Sequence, residues 1–540
     1  MLTHVTNDIQ QFGTCANSNF AVGWMCPLYK KKDRTNIVNY RPITLLNTDY
    51  KIFTKALATQ LAAEVSPLIH PDQSGFIPKR SIFDPIRLSQ MMIAYADITG
   101  EEGAIIALDQ EKAYDKINHD YLFATLDSFK LPKTFINTVK TLYQHAHTRV
   151  AINGVLSTPF QVTRGVRQGD PLSCLLFDLA IEPLACALRQ SDALQGYKIP
   201  GVKNRIIVNL YADDTTIYLG KNDRFHDLEA TLAKWCTASG AKFNPDKTEI
   251  VPMGPKAHRD GIINTRKLHP DDPPLAENIR VAQDGTPIRS LGAWIGNELD
   301  SAAAWEPILN QVKTSLDNWQ RGHPTLDGKR LITQMIAGGK TQFLAKAQGM
   351  PKNIERALIK IIRNFIWDNA RTPPISMDRL YQSVSDGGIN LLDITSRNHA
   401  IEITWLKPFL DLSAQRPAWA FIADTLINNL KPDGIRSPKD INLFLQTWNP
   451  PTQGPRTRGL PPELVLMLKT AKKFNISFAP MKMSKNLKSQ LPAWFHLGTP
   501  PRTYHKSKNK CLQETHLANT IKDLITISSR ITNRTHRHTK

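Results

Sequence analysis

The chain has 540 residues, of which 41% are hydrophobic, and a formal net charge of +20. This composition excludes a chain that is disordered throughout, and the lack of an 18-residue apolar run or of a secretory leader pattern argues against a membrane-spanning or exported protein. The 6 cysteines are scattered without a Cys-x-x-Cys pair, which argues against a disulfide framework and a cysteine zinc site. The positive charge favours a polyanionic partner such as nucleic acid, the alternative being a basic protein without one.

Apolar spacing predicts three elements in the first 130 residues. Hydrophobic side chains recur at every fourth position over 50–65, which predicts an amphipathic helix. The apolar run 103–108 predicts a buried strand that ends at Asp109, and Asn118 is expected to begin a helix that reaches Phe129. The N-terminal part of the chain is therefore expected to mix helices with strands.

The next hundred residues predict a helix and then a hairpin. Asp170 followed by a proline is a favourable helix start, and Pro183 is expected to kink that helix. The β-prone runs 206–210 and 215–219 flank the tetrapeptide Tyr211–Asp214, so this stretch predicts a hairpin with two acids at its tip.

The second half of the chain has a different pattern. Residues 255–287 are polar and rich in Pro, Asp and Gly, which predicts a long loop, and from 305 to about 445 the pattern is helical. Proline and glycine then crowd residues 450–462, which are interpreted as a linker. The last 60 residues, Met481–Lys540, hold 12 Lys and Arg against 2 Asp and Glu, so they are expected to bind nucleic acid unless they are only a solvated terminus.

Two acidic positions directly follow apolar strands. Asp109 follows the run 103–108, and Asp213 with Asp214 follows the first strand of the hairpin. Carboxylates at rigid strand ends are oxygen ligands of the kind that Mg²⁺ prefers, so two such strands side by side would let Asp109 and Asp213 bridge two Mg²⁺ ions. The alternative is that these acids are ordinary turn residues.

Further segments stand in a fixed order around these acids. They are Asn39–Ile43, Gln73–Phe76, Lys79–Ser81, Ala107–Asp115, Arg164–Ser173, Ser239–Lys247, Leu291–Gly296, Phe365–Trp367 and Gly387–Leu391. Together with Tyr211–Asp214 they resemble, over roughly residues 20–405, the motifs of reverse transcriptases from non-LTR (LINE-type) retrotransposons. The order and number of these segments make the resemblance specific.

The resemblance implies an α+β fold, the right-hand polymerase, in which the palm is an antiparallel sheet backed by helices and the thumb is all helical. The implied order is an N-terminal segment 1–19, fingers 20–102, palm 103–295 with a fingers-like insertion near 130–160, helical thumb 300–445, and a linker with a basic C-terminal extension over 450–540.

The resemblance also implies the site residues. Asp109, Asp213 and Asp214 match the three palm carboxylates, with Asp109 and Asp213 as direct ligands of two Mg²⁺ ions and Asp214 as a weaker ligand. The residues expected at the nucleotide are Tyr114, as an aromatic steric gate against a 2′-hydroxyl, Gln168, Gly169, Arg80 and Lys247. The alternatives are a core aromatic for Tyr114, a contact to template backbone for Arg80 and a surface lysine for Lys247.

The implied function is that of an RNA-directed DNA polymerase, which adds dNTPs to a primer 3′-hydroxyl by two-metal catalysis. The expected partners are an RNA template, a DNA primer or target DNA and dNTPs, without a membrane, and the expected location is the nucleus; the oligomeric state stays open. One alternative is a catalytically inactive, nucleic-acid-binding relic of such an element. Another is a group II intron maturase, but its cysteine-bearing endonuclease tail has no counterpart in this sequence.

Domains that accompany such polymerases are not recognisable in the sequence. It begins just before the fingers motifs, so the upstream endonuclease domain of full elements is expected to be lacking. Cys511 has no cysteine neighbours that would form a Cys-Cys-His-Cys knuckle, and no acidic constellation indicates an RNase H site. Target-site nicking is therefore not assigned to this chain.

Overall fold

A computed structural model describes residues 2–14, 18–411, 413, 415–430, 459–474, 476, 485–490, 493–494 and 506–535. Backbone contacts divide the chain into two units, Met1–Lys198 with Lys203–Leu299, and Ile199–Val202 with Asp300–Lys540. The first unit mixes strands and helices and the described part of the second is helical, which confirms the α+β class. Among the described helices, none is both long and apolar enough to cross a lipid bilayer.

The first unit holds every strand that the described residues form. Its helices are α1 (Leu2–Phe12), α2 (Thr48–Glu64), α3 (Phe83–Thr99), α4 (Ala113–Lys116), α5 (His119–Ser128), α6 (Lys133–Gln144), α7 (Ser173–Gln190), α8 (Phe225–Ser239) and α9 (Lys256–Thr265). Its strands are β1 (Val22–Tyr29), β2 (Tyr40–Leu46), β3 (Gly103–Leu108), β4 (His147–Ile152), β5 (Val155–Leu156), β6 (Phe160–Gln161), β7 (Val208–Tyr211), β8 (Asp214–Gly220), β9 (Glu249–Met253), β10 (Arg280–Val281), β11 (Ile288–Ser290) and β12 (Ala293–Ile295). The predicted helix over 50–65 and the predicted strand over 103–108 are thereby confirmed.

One sheet joins two distant parts of the first unit. Strand β1 pairs antiparallel with β2 on one side and parallel with β4 on the other. Strands β5 and β6 extend this sheet from β4. The segment near 130–160 therefore adds its strands to the sheet that the first 46 residues begin.

The second sheet has the strand order β10-β9-β3-β8-β7 and lies at the centre of the first unit. Strand β3 pairs antiparallel with both β8 and β9, and its apolar residues Ala104, Ile105 and Ile106 are almost fully buried. Strands β7 and β8 form the predicted hairpin. A strand with partners on both edges is rigid, so the residues at its end are held in fixed positions.

Helix α7 packs in the core of the first unit, and Leu176, Phe177 and Ile181 have no exposed surface. It begins at Ser173, three residues after the predicted start at Asp170. The Asp170 side chain accepts a hydrogen bond from the backbone N–H of Leu172 at 3.0 Å, so it caps a turn that leads into the helix.

The loop predicted over 255–287 is wrong for part of its length. Helix α9 and strand β10 both lie in this segment. The reason is a tertiary contact, since the almost fully buried guanidinium of Arg259 pairs with Asp97, Asp284 and Glu298 at 3.2, 2.9 and 3.0 Å. Partners that lie far away in sequence give no local signal, and the polar composition concealed the helix.

The second unit is helical in its described part. Its helices are α10 (Glu306–Gln320), α11 (Leu326–Thr333), α12 (Gly339–Gln348), α13 (Lys352–Ile366), α14 (Met377–Tyr381), α15 (Ile394–Leu410), α16 (Ala418–Asn428), α17 (Pro462–Lys473), α18 (Lys485–Gln490), α19 (Lys506–Glu514) and α20 (Ile521–Thr535). A π-helical turn, Gln334–Gly338, joins α11 to α12. The predicted helical pattern from 305 is confirmed as far as 430, whereas 431–458, which includes most of the predicted linker, lies outside the described residues.

Candidate active site

The three candidate carboxylates lie at one end of the central sheet, where β8 separates β3 from β7. Asp109 comes directly after β3, and Asp213 lies in the tight turn between β7 and β8, where Tyr211 pairs with Asp214. Leu108 at the end of β3 pairs with Thr215 near the start of β8. The backbones of Asp109, Asp213 and Asp214 are therefore brought together at the same end of the strands.

These carboxyl groups influence one another electrostatically. Burial raises the pKa of Asp213, and the charge of Asp109 raises it further, whereas the ammonium of Lys30 lowers it. The side chain of Asp214 reaches solvent, but the protein around it removes enough water to raise its pKa to about 6, with additional repulsion from Asp213 and Asp109. Negative charges that repel one another in a partly dehydrated place are stabilised by a cation.

The donor atoms fit a divalent cation, but they do not form a finished ligand set. Among the described residues, no group of three or more His, Cys, Asp or Glu side chains is arranged so that it could hold a metal ion. Asp109 instead pairs with Lys247, whose Nζ lies 2.9 Å from its Oδ2. Asp109 and Asp213 remain oxygen donors of the kind that Mg²⁺ prefers, and the ammonium of Lys247 occupies one of the two carboxylate oxygens of Asp109.

Tyr114 lies close to the candidate site but belongs partly to the core. Its ring stacks on Phe177 with the centroids 4.7 Å apart and an interplanar angle of 11°. Burial raises the pKa of its hydroxyl, and the neighbouring Cys174, Asp178 and Asp213 raise it further. The stack on Phe177 fixes the ring in the core, and the hydroxyl is close enough to Asp213 to be influenced by its charge. Tyr114 is therefore both a core aromatic and a neighbour of the candidate site.

Gln168 and Gly169 contact protein groups in this structure. The Nε2 of Gln168 donates to Oδ1 of Asp115 at 2.9 Å, and its backbone oxygen accepts from the N–H of Thr44 at 3.1 Å. Gly169 has φ +107°, and a Cβ at this position would lie 2.3 Å from the backbone oxygen of Thr44. The glycine that was expected at the nucleotide is thus required by the close approach of strand β2.

Arg80, which was expected at the nucleotide or at template backbone, contacts backbone atoms of the protein in this structure. Its Nη1 and Nη2 atoms donate to four backbone carbonyl oxygens at 2.6–3.0 Å, those of Ser66, Ile69, His70 and Gln73. Burial lowers the pKa of Arg80, and the acidic groups Glu182, Asp178 and Asp72 oppose this shift. The guanidinium holds a loop together, and the sequence motif alone could not reveal these partners.

Two basic residues near the acids were not predicted as site residues. Burial lowers the pKa of Lys30, and the charges of Arg41, Lys247 and Lys31 lower it further, while Asp109 raises it. Lys30 therefore lies near Arg41 on the one hand and near the Asp109–Lys247 pair on the other. A signal was present, since Arg41 lies within the motif Asn39–Ile43 and Lys30 directly follows strand β1.

Comparison with known proteins identifies a matching family. Residues 29–292 match the family model described as "Reverse transcriptase (RNA-dependent DNA polymerase)". The chain is 29% identical over 425 residues to the "Transposon TX1 uncharacterized 149 kDa protein" of Xenopus laevis, covering 77% of this chain and 30% of the relative. It is 27% identical over 213 residues to the "Retrovirus-related Pol polyprotein from type-2 retrotransposable element R2DM" of Drosophila melanogaster, covering 39% of this chain and 20% of the relative.

Solved structures are more distant. The telomerase from Candida tropicalis in complex with the TWJ fragment of telomeric RNA matches 78% of this chain and 67% of its own chain, with 12% identity and a TM-score of 0.37. The chain spans 30% and 20% of the length of the Xenopus and Drosophila relatives.

Proposed function

Because residues 29–292 are a reverse transcriptase domain whose relatives are proteins of non-LTR retrotransposons, we propose that this chain is an RNA-directed DNA polymerase of such an element. Enzymes of this family depend on metal ions and read a nucleic-acid template. The single observation that carries the proposal is the register in which Leu108 pairs with Thr215, since it sets Asp109 beside the Asp213 turn. The proposed partners are an RNA template, a DNA primer or target DNA and dNTPs, and the proposed location is the nucleus.

Asp109 and Asp213 would hold two Mg²⁺ ions, with Asp214 adding negative charge beside them. The bound ions would activate the primer 3′-hydroxyl and stabilise the pyrophosphate that leaves. Positive charge near these acids comes from Lys30, Arg41 and Lys247. The pKa of Lys30 responds to Arg41, Lys247 and Asp109, which indicates that these charges lie near Lys30. A guanidinium and two ammonium groups suit the triphosphate of an incoming nucleotide.

The remaining residues would shape the nucleotide site. The Tyr114 ring, fixed by its stack on Phe177, would exclude a 2′-hydroxyl. The turn before α7 is held against strand β2 through Gln168 and Gly169. Both residues would line the same nucleotide site. We assign the fingers to 20–102, the palm to 103–295, the helical thumb to 300–445, and a linker with the basic extension to 450–540, after an N-terminal segment 1–19.

A catalytically inactive relic is the second candidate. The observation that favours it is the Asp109–Lys247 pair, because it occupies a carboxylate that a metal ion would need. A relic would bind primer and template without extending the primer. The two candidates therefore differ in a single measurement.

The deciding experiment is primer extension on an RNA template with a DNA primer, dNTPs and Mg²⁺. Wild-type protein should extend the primer. Asp213→Asn should lower the rate at least about 10³-fold, because a charged carboxylate ligand of the proposed Mg²⁺ ions is lost. Asp192→Asn, at an exposed loop position after α7, is the matched control and should retain wild-type activity. Folded wild-type protein that never extends a primer would overturn the proposal in favour of the relic.

A further inference from the structure

The turn that carries Asp213 has an unfavourable backbone conformation. Ala212 has φ +55°, in the left-handed region that residues other than glycine rarely adopt. Ala212 and Asp213 are the two residues between the paired positions Tyr211 and Asp214. Because the turn is this short, the φ of Ala212 sets the directions in which Asp213 and Asp214 leave the backbone.

The side chain of Gln73 holds this turn. Its Oε1 accepts a hydrogen bond from the backbone N–H of Ala212 at 2.9 Å, and its Nε2 donates to the backbone oxygen of Ala212 at 3.4 Å. The same Oε1 accepts from the backbone N–H of Gly75 at 2.8 Å. Gln73 has no exposed surface, so these hydrogen bonds are shielded from water and replacing the amide would leave buried backbone groups without partners.

The backbone on either side of Gln73 follows the hairpin. The N–H of Leu210 donates to the oxygen of Asp72 at 2.8 Å, and the N–H of Ser74 donates to the oxygen of Leu210 at 2.8 Å. Gly75 then passes so close that a Cβ would lie 2.3 Å from the backbone nitrogen of Ala212. Residues 66–80, which we call the strap, therefore pack tightly along the hairpin.

Arg80 gives the strap its shape. Four carbonyl oxygens of the strap itself accept hydrogen bonds from this guanidinium, which is why they face inward around one side chain. One of these carbonyls belongs to Gln73, at 2.6 Å. The backbone of Gln73 is thus anchored to Arg80 while its side chain reaches Ala212.

We propose that Gln73 is a positioning residue that maintains the left-handed conformation of Ala212 and thereby orients the carboxylates of Asp213 and Asp214. The inference rests on the proposed function, because the orientation matters for metal binding at these acids. Gln73 itself does not need to touch substrate or metal. The strap holds Ala212 on one side of the turn, while Gln110 donates to the backbone oxygen of Asp213 at 3.3 Å on the other.

The first test measures the turn in free protein, without nucleotide. Gln73→Asn keeps an amide but shortens the side chain by one methylene, so it should not reach Ala212, and amide hydrogen exchange over residues 208–217 should rise about 10- to 100-fold. Ser74→Ala is the matched control, because Ser74 holds Leu210 through its backbone and should exchange as wild type. Exchange in Gln73→Asn equal to that of wild type would overturn the proposal.

The second test measures cation binding and turnover. In Gln73→Asn, Mn²⁺ binding followed by electron paramagnetic resonance should weaken about tenfold, and kcat should fall while the KM for dNTP changes by less than about twofold. Adding Ala212→Gly should restore part of the Mn²⁺ affinity, since glycine adopts positive φ without strain. Unchanged Mn²⁺ affinity in Gln73→Asn, or no recovery in the double variant, would contradict the role of Gln73.

The two proposals fail in different ways. If wild-type protein does not extend a primer, the proposed polymerase is wrong, but hydrogen exchange and Mn²⁺ binding still decide the role of Gln73. If wild-type protein extends a primer and Gln73→Asn matches it in exchange, Mn²⁺ affinity and kcat, only the role of Gln73 is wrong.

Discussion

The Nζ of Lys247 lies 2.9 Å from Oδ2 of Asp109, although both side chains are partly exposed, with relative accessibilities of 61% and 37%. This ion pair connects the turn before β9 to the end of β3. An ammonium group at this place neutralises one of the carboxylates that would hold a metal ion. On the proposed function, Lys247 and a divalent cation would therefore compete for Oδ2 of Asp109.

Replacing Lys247 should make cation binding easier. In Lys247→Ala, the affinity for Mn²⁺ in the absence of nucleotide should rise about two- to fivefold, because an exposed ion pair contributes only up to ~1 kcal/mol. Isothermal titration calorimetry measures this change. Lys242→Ala is the control, since Lys242 is similarly exposed but pairs with Glu111, and its Mn²⁺ affinity should stay that of wild type. A weaker affinity in Lys247→Ala would contradict the competition.

The ring of Tyr114 should discriminate between sugars. Tyr114→Ala is expected to raise incorporation of rNTPs relative to dNTPs about 10- to 100-fold, because a pocket of changed size usually alters selectivity by ~1–3 kcal/mol. Tyr114→Phe keeps the ring that stacks on Phe177 and should keep wild-type selectivity. The two ratios come from single-nucleotide extension with each substrate. A ratio in Tyr114→Ala equal to that of wild type would leave Tyr114 as a core aromatic alone.

Local signals were sufficient for strands β3, β7 and β8 of the central sheet, but not for its strand β10 or for the N-terminal sheet. The run Gly103–Leu108 is apolar throughout, and it became β3 with the predicted bounds. Strands β1 and β2 contain Pro27 and Pro42, which pair with each other in the register and which in sequence indicate an interruption. The parallel pairing of β1 with β4 joins residues more than a hundred positions apart, and no periodicity indicates such a contact.

The candidate site shows the same division. The acids were predicted because they lie at strand ends. For the residues that hold their turn, the sequence did not predict which atoms they contact. Gln73 and Arg80 lie in recognisable motifs, yet their partners are backbone atoms whose positions exist only in the folded chain. A motif therefore identified important residues without stating what each one contacts.

The different roles of Arg80 and Arg41 can be separated by kinetics. Arg80→Lys should lower the free energy of unfolding by about 2–4 kcal/mol, because one ammonium cannot satisfy four carbonyl oxygens, and the KM for dNTP should stay within about twofold of wild type. Arg41→Ala should do the reverse. Its stability should be unchanged because Arg41 is exposed, and the KM for dNTP should rise about tenfold because a guanidinium that binds the triphosphate is lost. Urea denaturation and steady-state kinetics supply both numbers. A raised KM with unchanged stability in Arg80→Lys would show that Arg80 binds the triphosphate and does not hold the strap.

The close approach of Gly169 to β2 should be costly to disturb. Gly169→Ala combines φ +107° with a clash against the backbone oxygen of Thr44 at 2.3 Å, so the free energy of unfolding should fall by about 3 kcal/mol or more. Gly100→Ala is the matched control, because Gly100 has φ +78° with nothing within 4 Å of the added Cβ, and only about 1 kcal/mol should be lost. Equal losses in urea denaturation would show that strain alone, without the contact to Thr44, explains Gly169.

The basic extension should affect binding and leave the chemistry unchanged. Met481–Lys540 hold 12 Lys and Arg against 2 Asp and Glu, so deleting this segment removes much of the positive charge available to phosphates. The slope of log affinity against log salt should flatten by about 0.7–0.9 for each phosphate contact that is lost, while kcat on saturating primer–template stays within about twofold of wild type. Fluorescence anisotropy over a salt series measures the slope. Full-length protein with Lys522→Gln and Arg530→Gln, two basic positions on α20, tests whether charge is the cause, since it should flatten the slope in part. An unchanged slope in the deletion would mean that the extension is solvated and makes no contact with nucleic acid.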